Sequence, residues 1–138
     1  MNQDLIFLPA LLQVFLTLFV YIRLGQAKEQ AVKAGTVDQT RRALHDDAWP
    51  EPVQKINNNI RNQFETPVLF YFLVLTLRTL DAASVVAQMT AWAYVLCRVL
   101  HAWVHTGRNT IRLRKRLFQI SIALLFVLSG VALTAVVL

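Results

Sequence analysis

Asn57-Asn-Asn-Ile-Arg-Asn-Gln-Phe-Glu-Thr-Pro-Val-Leu-Phe-Tyr-Phe72 decides the fold, because a run of amides and charges passes without interruption into one of the most apolar segments of the chain. At helical spacing Asn58, Asn62 and Glu65 share one face, and Arg61 precedes Glu65 by one turn. A carboxylate at the mouth of a membrane helix is costly unless it pairs with a cation or faces a wet cavity, which makes Glu65 a candidate functional residue. Pro67, just beyond it, has no N–H and disturbs the helix there, leaving a backbone carbonyl free to take part in a site.

The rest of the chain supports a membrane setting. Of 138 residues, 56% are hydrophobic and only 16% charged, and the mean hydropathy is +0.46; one domain of this composition lies outside the usual soluble class. The net charge of +6 is carried by residues flanking apolar spans rather than by a soluble basic face with interleaved aromatics. Anionic membrane lipids or an anionic ligand therefore fit better than nucleic acid, which is not expected as a partner. The single cysteine, Cys97, excludes an internal disulfide and a cysteine-pair metal site.

Four apolar runs follow, at 5–22, 57–80, 85–105 and 117–138, which predict an all-α, antiparallel up-down, integral membrane four-helix bundle occupying residues 1–138 as one domain. The first run lacks a positive leading segment and a small-residue cleavage site, so it reads as a retained span. Gly25 and the residues up to Pro52 read as an extramembrane loop with a short amphipathic helix, and Pro52 suits the first turn of the next helix. Arg78 is expected to snorkel at the far end of the second span. Lys and Arg concentrate in the first and third loops, so both loops face the cytoplasm and both termini lie on the opposite side.

On the shared side of the bundle, Glu65 and Arg98 lie at similar depths on neighbouring spans and are expected to pair, with His101 and His105 following on the Arg98 face. Such a pair can simply lock helices together. Asn58, Asn62, the histidines and the loop arginines nevertheless supply more donors than one carboxylate can absorb, a surplus suited to a polyanionic ligand. His101 and His105 match metal spacing but have no third ligand, so no metal is expected. Trp92, Tyr94 and Trp103 read as interfacial or packing aromatics, and Ser129, Gly130 and Thr134 as a packing face. The basic stretch Arg108-Asn-Thr-Ile-Arg-Leu-Arg-Lys-Arg116 serves equally as a topology signal on lipid headgroups.

Arg61-Asn62-x-x-Glu65-x-Pro67, Arg98-x-x-His101 and the basic stretch before the last span together resemble the membrane-associated proteins in eicosanoid and glutathione metabolism, the MAPEG family. The resemblance covers most of the chain and looks like the bacterial branch, in an inner membrane. It implies a homotrimer with glutathione as co-substrate, bound between subunits near the cytoplasmic face. By the same resemblance Asn62 and Glu65 hold the tripeptide backbone, Arg61 contacts a carboxylate, Arg98 pairs with Glu65, and Asn58, His101, His105 and Lys28 complete the binding set. The thiolate-stabilising arginine is Arg114 or Arg112. Asn58 stands where many eukaryotic members carry arginine, and Phe118 where some carry tyrosine.

The implied activity is a glutathione-dependent transferase or peroxidase acting on lipophilic electrophiles or hydroperoxides. An arginine beside the sulfur favours the thiolate, which is the nucleophile. The alternative is a non-catalytic membrane subunit or lipid-binding scaffold that keeps the fold.

Overall fold

The computed structural model describes residues 2–138. A 3-10 turn, Gln3–Ile6, leads into α1, Phe7–Lys33; α2 is Glu51–Gln63, α3 Thr66–Thr79, α4 Val85–Thr106 and α5 Ile111–Val137. The structure is an all-helical, antiparallel membrane bundle, in which α2 and α3 follow one another where a single second span was expected. Three segments, Gln3–Lys33, Val85–Thr106 and Ile111–Val137, are each long and apolar enough to cross a bilayer. α3 has 14 residues, about 21 Å of helix against a hydrocarbon core of about 30 Å, so it needs α2 to complete the crossing.

α1 does not stop at residue 22. Gly25 is absorbed in the helix because strong helix formers follow it, and because Leu24 and Ala31 pack against Val53, Ile56 and Ile60 of α2. The true stop is Gly35, whose φ of +68° suits only glycine well. Around it the Thr36 N–H reaches the Ala31 carbonyl and the Gly35 N–H reaches that of Val32, both at 3.1 Å, which closes the helix in a Schellman motif. The loop beyond is stitched by the Arg41–Asp47 ion pair at 2.8 Å and by the Trp49 indole donating to the Arg42 carbonyl at 3.3 Å. Its ordered helical part is a single 3-10 turn, Asp46–Ala48.

Pro50 caps α2 and Pro52 sits in its first turn, where a missing N–H costs nothing. The buried face of α2 carries Val53, Ile56, Asn59, Ile60 and Gln63. The expected continuous helix over 57–80 is broken at Phe64 and Glu65, where Glu65 has ψ −100° and Pro67 starts the next helix. The Pro67 ring and its absent N–H prevent the α2 ladder from running on.

α4 begins at Ser84, whose hydroxyl accepts the Ala87 N–H at 3.2 Å. One continuous buried stripe follows, from Ala87 and Ala91 through Tyr94 to Arg98, His101 and His105. Small residues at its start let neighbouring backbones approach closely, as membrane helices require. At that end Arg78 pairs with Asp4 at 2.5 Å and Asp81 at 2.7 Å, while the Gln3 amide oxygen accepts the Ala83 N–H at 3.0 Å. The chain terminus and the α3–α4 turn are thereby clasped, and Arg78, expected only to snorkel, has two partners.

Candidate functional site in the wet half of the bundle

The helix break creates the site. The last carbonyls of any helix lack intrahelical partners, and that of Asn62 is taken by Arg98, which donates from Nη2 at 3.0 Å. The Arg98 side chain is fully buried, and its Nε and Nη1 have no hydrogen-bond partner among the described residues. Here the expected Glu65–Arg98 ion pair is corrected: no oxygen of Glu65 lies within ion-pair distance of Arg98, because the break turns Glu65 out to an exposed position after α2 ends. Asn58 and Asn62 keep their common face, with the Asn62 amide donating to the Asn58 carbonyl at 3.1 Å, but Glu65 no longer continues it.

Beside Arg98 opens a cleft of about 300 Å³ lined by Asn62, His101, Ile111, Arg114, Lys115 and Phe118. The basic stretch lies largely in the first turns of α5 rather than before it, so its cations crowd a helix N-terminus whose dipole already favours anions. Thr110 provides no side-chain cap there. Arg114 donates to the Asn109 side chain at 2.8 Å, and Asn109 occupies a left-handed φ of 52°. Arg112 is exposed and does not line the cleft.

Sequence reasoning missed a buried polar chain that ties α1, α2 and α4 together. Gln13 of α1 donates to Gln63 at 2.7 Å, Gln63 donates to Asn59 at 3.0 Å, and Asn59 meets His105 Nδ1 at 3.3 Å. Gln13, Asn59, Gln63 and His105 are all buried. The signal was present in Gln13, an amide alone in an apolar run, since such residues bond across membrane helices. His101 and His105 face edge to plane with ring centroids 5.6 Å apart, and His101 lies 6.2 Å from the Phe118 ring. His101 Nδ1 is a further buried atom without a partner among the described residues. The Tyr94 hydroxyl, lower on the same stripe, donates to Thr66 at 3.2 Å, and its ring stacks on Phe70 at 4.4 Å.

The proposed binding residues thus divide. Asn62, His101 and Arg114 meet in the cleft, Arg98 is tied to it through the Asn62 carbonyl, and His105 is bonded instead to Asn59. Lys28 lies elsewhere, its ammonium 5.0 Å from the Trp49 ring centroid, and Arg61 is bonded to Asp46. Asn58 and Glu65 are exposed. In the loop that holds Arg61, the Arg41 guanidinium keeps the Asp47 carboxyl below its ordinary range, and at the start of α2 the Lys55 ammonium does the same to Glu51.

A family model described as the MAPEG family matches residues 6–134. The chain belongs to the MAPEG family. The match covers α1 to α4, the helix break, and the basic start and most of the length of α5, so the site elements are part of the MAPEG fold rather than additions to it. Comparison with curated proteins gave no match, and none came from solved structures. MAPEG membership makes this an integral membrane helical bundle of a family generally associated with glutathione, which includes transferases, peroxidases and non-catalytic members.

Proposed function

We propose that this MAPEG protein is a glutathione-dependent membrane transferase or peroxidase acting on lipophilic electrophiles or hydroperoxides. The observation that carries the reading is a buried arginine, Arg98, with unpartnered donors and a hydrogen bond to Asn62, one wall of a cleft also ringed by His101, Arg114 and Lys115. A desolvated guanidinium with unmet donors is costly, and the cost is offset when an anionic ligand supplies the missing acceptors. Glutathione carries carboxylates for Lys115 and Arg98 and a thiol for Arg114.

The chemistry needs no group beyond these. A cation near the sulfur, at the positive end of α5, favours loss of the thiol proton to solvent. The thiolate then attacks an electrophilic carbon and expels its leaving group. With a hydroperoxide it attacks the distal oxygen, the alkoxide expelled takes a proton from solvent and leaves as the alcohol, and a second glutathione thiol condenses with the resulting sulfenic acid to give disulfide and water. Electrostatic placement of Arg114 supplies the catalytic contribution. The cleft is at the small end of ligand-site volumes, about 300–1,000 Å³, so an extended tripeptide would run past it. A homotrimer, with a neighbouring subunit covering the cleft, completes the proposal, together with a bacterial inner membrane in which the basic loops are cytoplasmic.

The test is turnover of a model electrophile and of a lipid hydroperoxide by purified protein in detergent. Glutathione-dependent turnover that falls more in Arg114→Ala than in Arg112→Ala supports the reading, and no turnover with either substrate class rejects it. A second reading, a non-catalytic scaffold, is favoured by one specific observation. Lys28 and Arg61, two of the expected ligand cations, are engaged by Trp49 and Asp46 within the chain. Stoichiometric co-purification with a larger complex, without turnover, would select it.

A further inference from the structure

On the face of the bundle formed by α1 and α4, away from the glutathione cleft, lies an apolar groove of about 300 Å³ whose lining includes Leu16, Phe19, Val20, Val99 and Trp103, with Arg23 at its mouth. It does not end there. Val99 is shared with a second apolar cleft of about 460 Å³ formed by Leu12, Trp92, Ala93 and Leu96. The two together follow α4 from Trp103 to Trp92, a rise of about 16 Å. Trp103 is 75% exposed and forms the wall between this channel and a third cleft holding Arg108 and Thr110. Neither Arg23 nor Arg108 forms an ion pair among the described residues.

We infer that this surface is a binding site for one anionic phospholipid of the surrounding bilayer, with an acyl chain along the α1–α4 channel and its phosphate at Arg23. Shape and charge select this occupant. The channel is long, narrow and lined almost wholly by carbon, and it runs between α1 and α4, two helices long and apolar enough to cross a bilayer. Its one cation sits where α1 passes beyond its apolar run, at headgroup depth. An exposed tryptophan beside that cation matches the interfacial belt, since an indole offers an apolar body to the chain and an N–H to the glycerol-phosphate region. Arg108, across Trp103, faces the polar remainder of the headgroup. A zwitterionic lipid fills the channel equally well but brings its own cation to the two arginines, so the site discriminates by charge.

The inference stands apart from the proposed enzyme activity, and its test does not use glutathione. Purified full-length protein is equilibrated with vesicles of equal phosphatidylglycerol and phosphatidylcholine content, and retained lipid is counted per chain by native mass spectrometry. Wild type should retain phosphatidylglycerol in preference to phosphatidylcholine, at about one per chain. Arg23→Gln should lower that preference about fivefold, since a basic residue at the surface contributes about 1 kcal/mol toward an anionic lipid. Arg116→Gln, which alters a basic residue outside the channel, should leave it unchanged. Val99→Trp fills the channel without changing charge and should abolish retention. Equal retention of both lipids by wild type overturns the inference, whatever the variants do. So does an Arg116→Gln loss as large as that of Arg23→Gln, or displacement of the lipid by excess inorganic phosphate, which would reduce the site to a free-anion contact.

Discussion

Replacing Arg98 by methionine should make the ligand-free protein more stable and the ligand-bound one harder to form. The guanidinium is fully buried, with a hydrogen bond to the Asn62 carbonyl and with Nε and Nη1 unmet. A charge-assisted hydrogen bond contributes about 1.5–3 kcal/mol. Against it stand an effective desolvation cost of several kcal/mol for a buried ion and about 1–3 kcal/mol for each unmet donor. Methionine fills nearly the same unbranched volume and leaves a single orphan, the Asn62 carbonyl. The balance favours Arg98→Met by about 1–3 kcal/mol, in line with other buried charges replaced by apolar residues. The same change removes the donors assigned to the ligand, so glutathione affinity should fall about 30-fold or more, from a loss of at least about 2 kcal/mol. Stability is read by denaturant titration in detergent with tryptophan fluorescence, and affinity by equilibrium dialysis. If Arg98→Met destabilises the free protein by about 2 kcal/mol or more, Arg98 is a structural anchor and the reasoning fails.

Other perturbations test other parts of the account. Gln63→Leu leaves the Gln13 amide without its partner and the Asn59 side-chain oxygen unmet, although Asn59 keeps His105, and should cost about 2–4 kcal/mol by the same titration; adding Gln13→Leu should recover about 1 kcal/mol, and strict additivity would show that the chain is not coupled. Pro67→Ala restores an N–H to the break and should weaken glutathione binding by favouring a continuous helix; unchanged affinity would separate the break from the site. Because Arg41 holds the Asp47 carboxyl below its ordinary range, that contact should be intact above the ordinary carboxylate pKa and lost as pH falls through the lowered value. Hydrogen exchange across residues 38–48 should therefore stay slow through mildly acidic pH and rise only in strong acid. Asp47→Asn should remove that acid-dependent step, and loop opening at near-neutral pH would contradict the assignment.

Much of the fold was legible because a bilayer imposes a coarse rule: apolar runs of sufficient length become spans, and basic loops flank them. The Pro67 disturbance and the Pro52 start were readable for the same reason, since proline acts through its own backbone. What escaped was set by partners distant in sequence. Residues 25–33 carried a glycine and mixed charges, and only their packing on α2 explains why α1 continues through them. The Glu65–Arg98 pairing failed because the direction of a side chain after a helix break cannot be read from helical periodicity, which assumes that the helix goes on. Asn59 stands in a run of amides, yet its neighbours Ile56 and Ile60 lie on the same buried face, and burial follows that face rather than polarity.

Most directly, the central claim can be tested by titrating glutathione into the purified wild-type protein while following thiolate absorption in the ultraviolet. A saturable rise in thiolate is expected, lost in Arg114→Ala and shifted to much higher glutathione concentration in Arg98→Met. A wild-type protein that gives no saturable thiolate signal, or one that both variants reproduce unchanged, would contradict it.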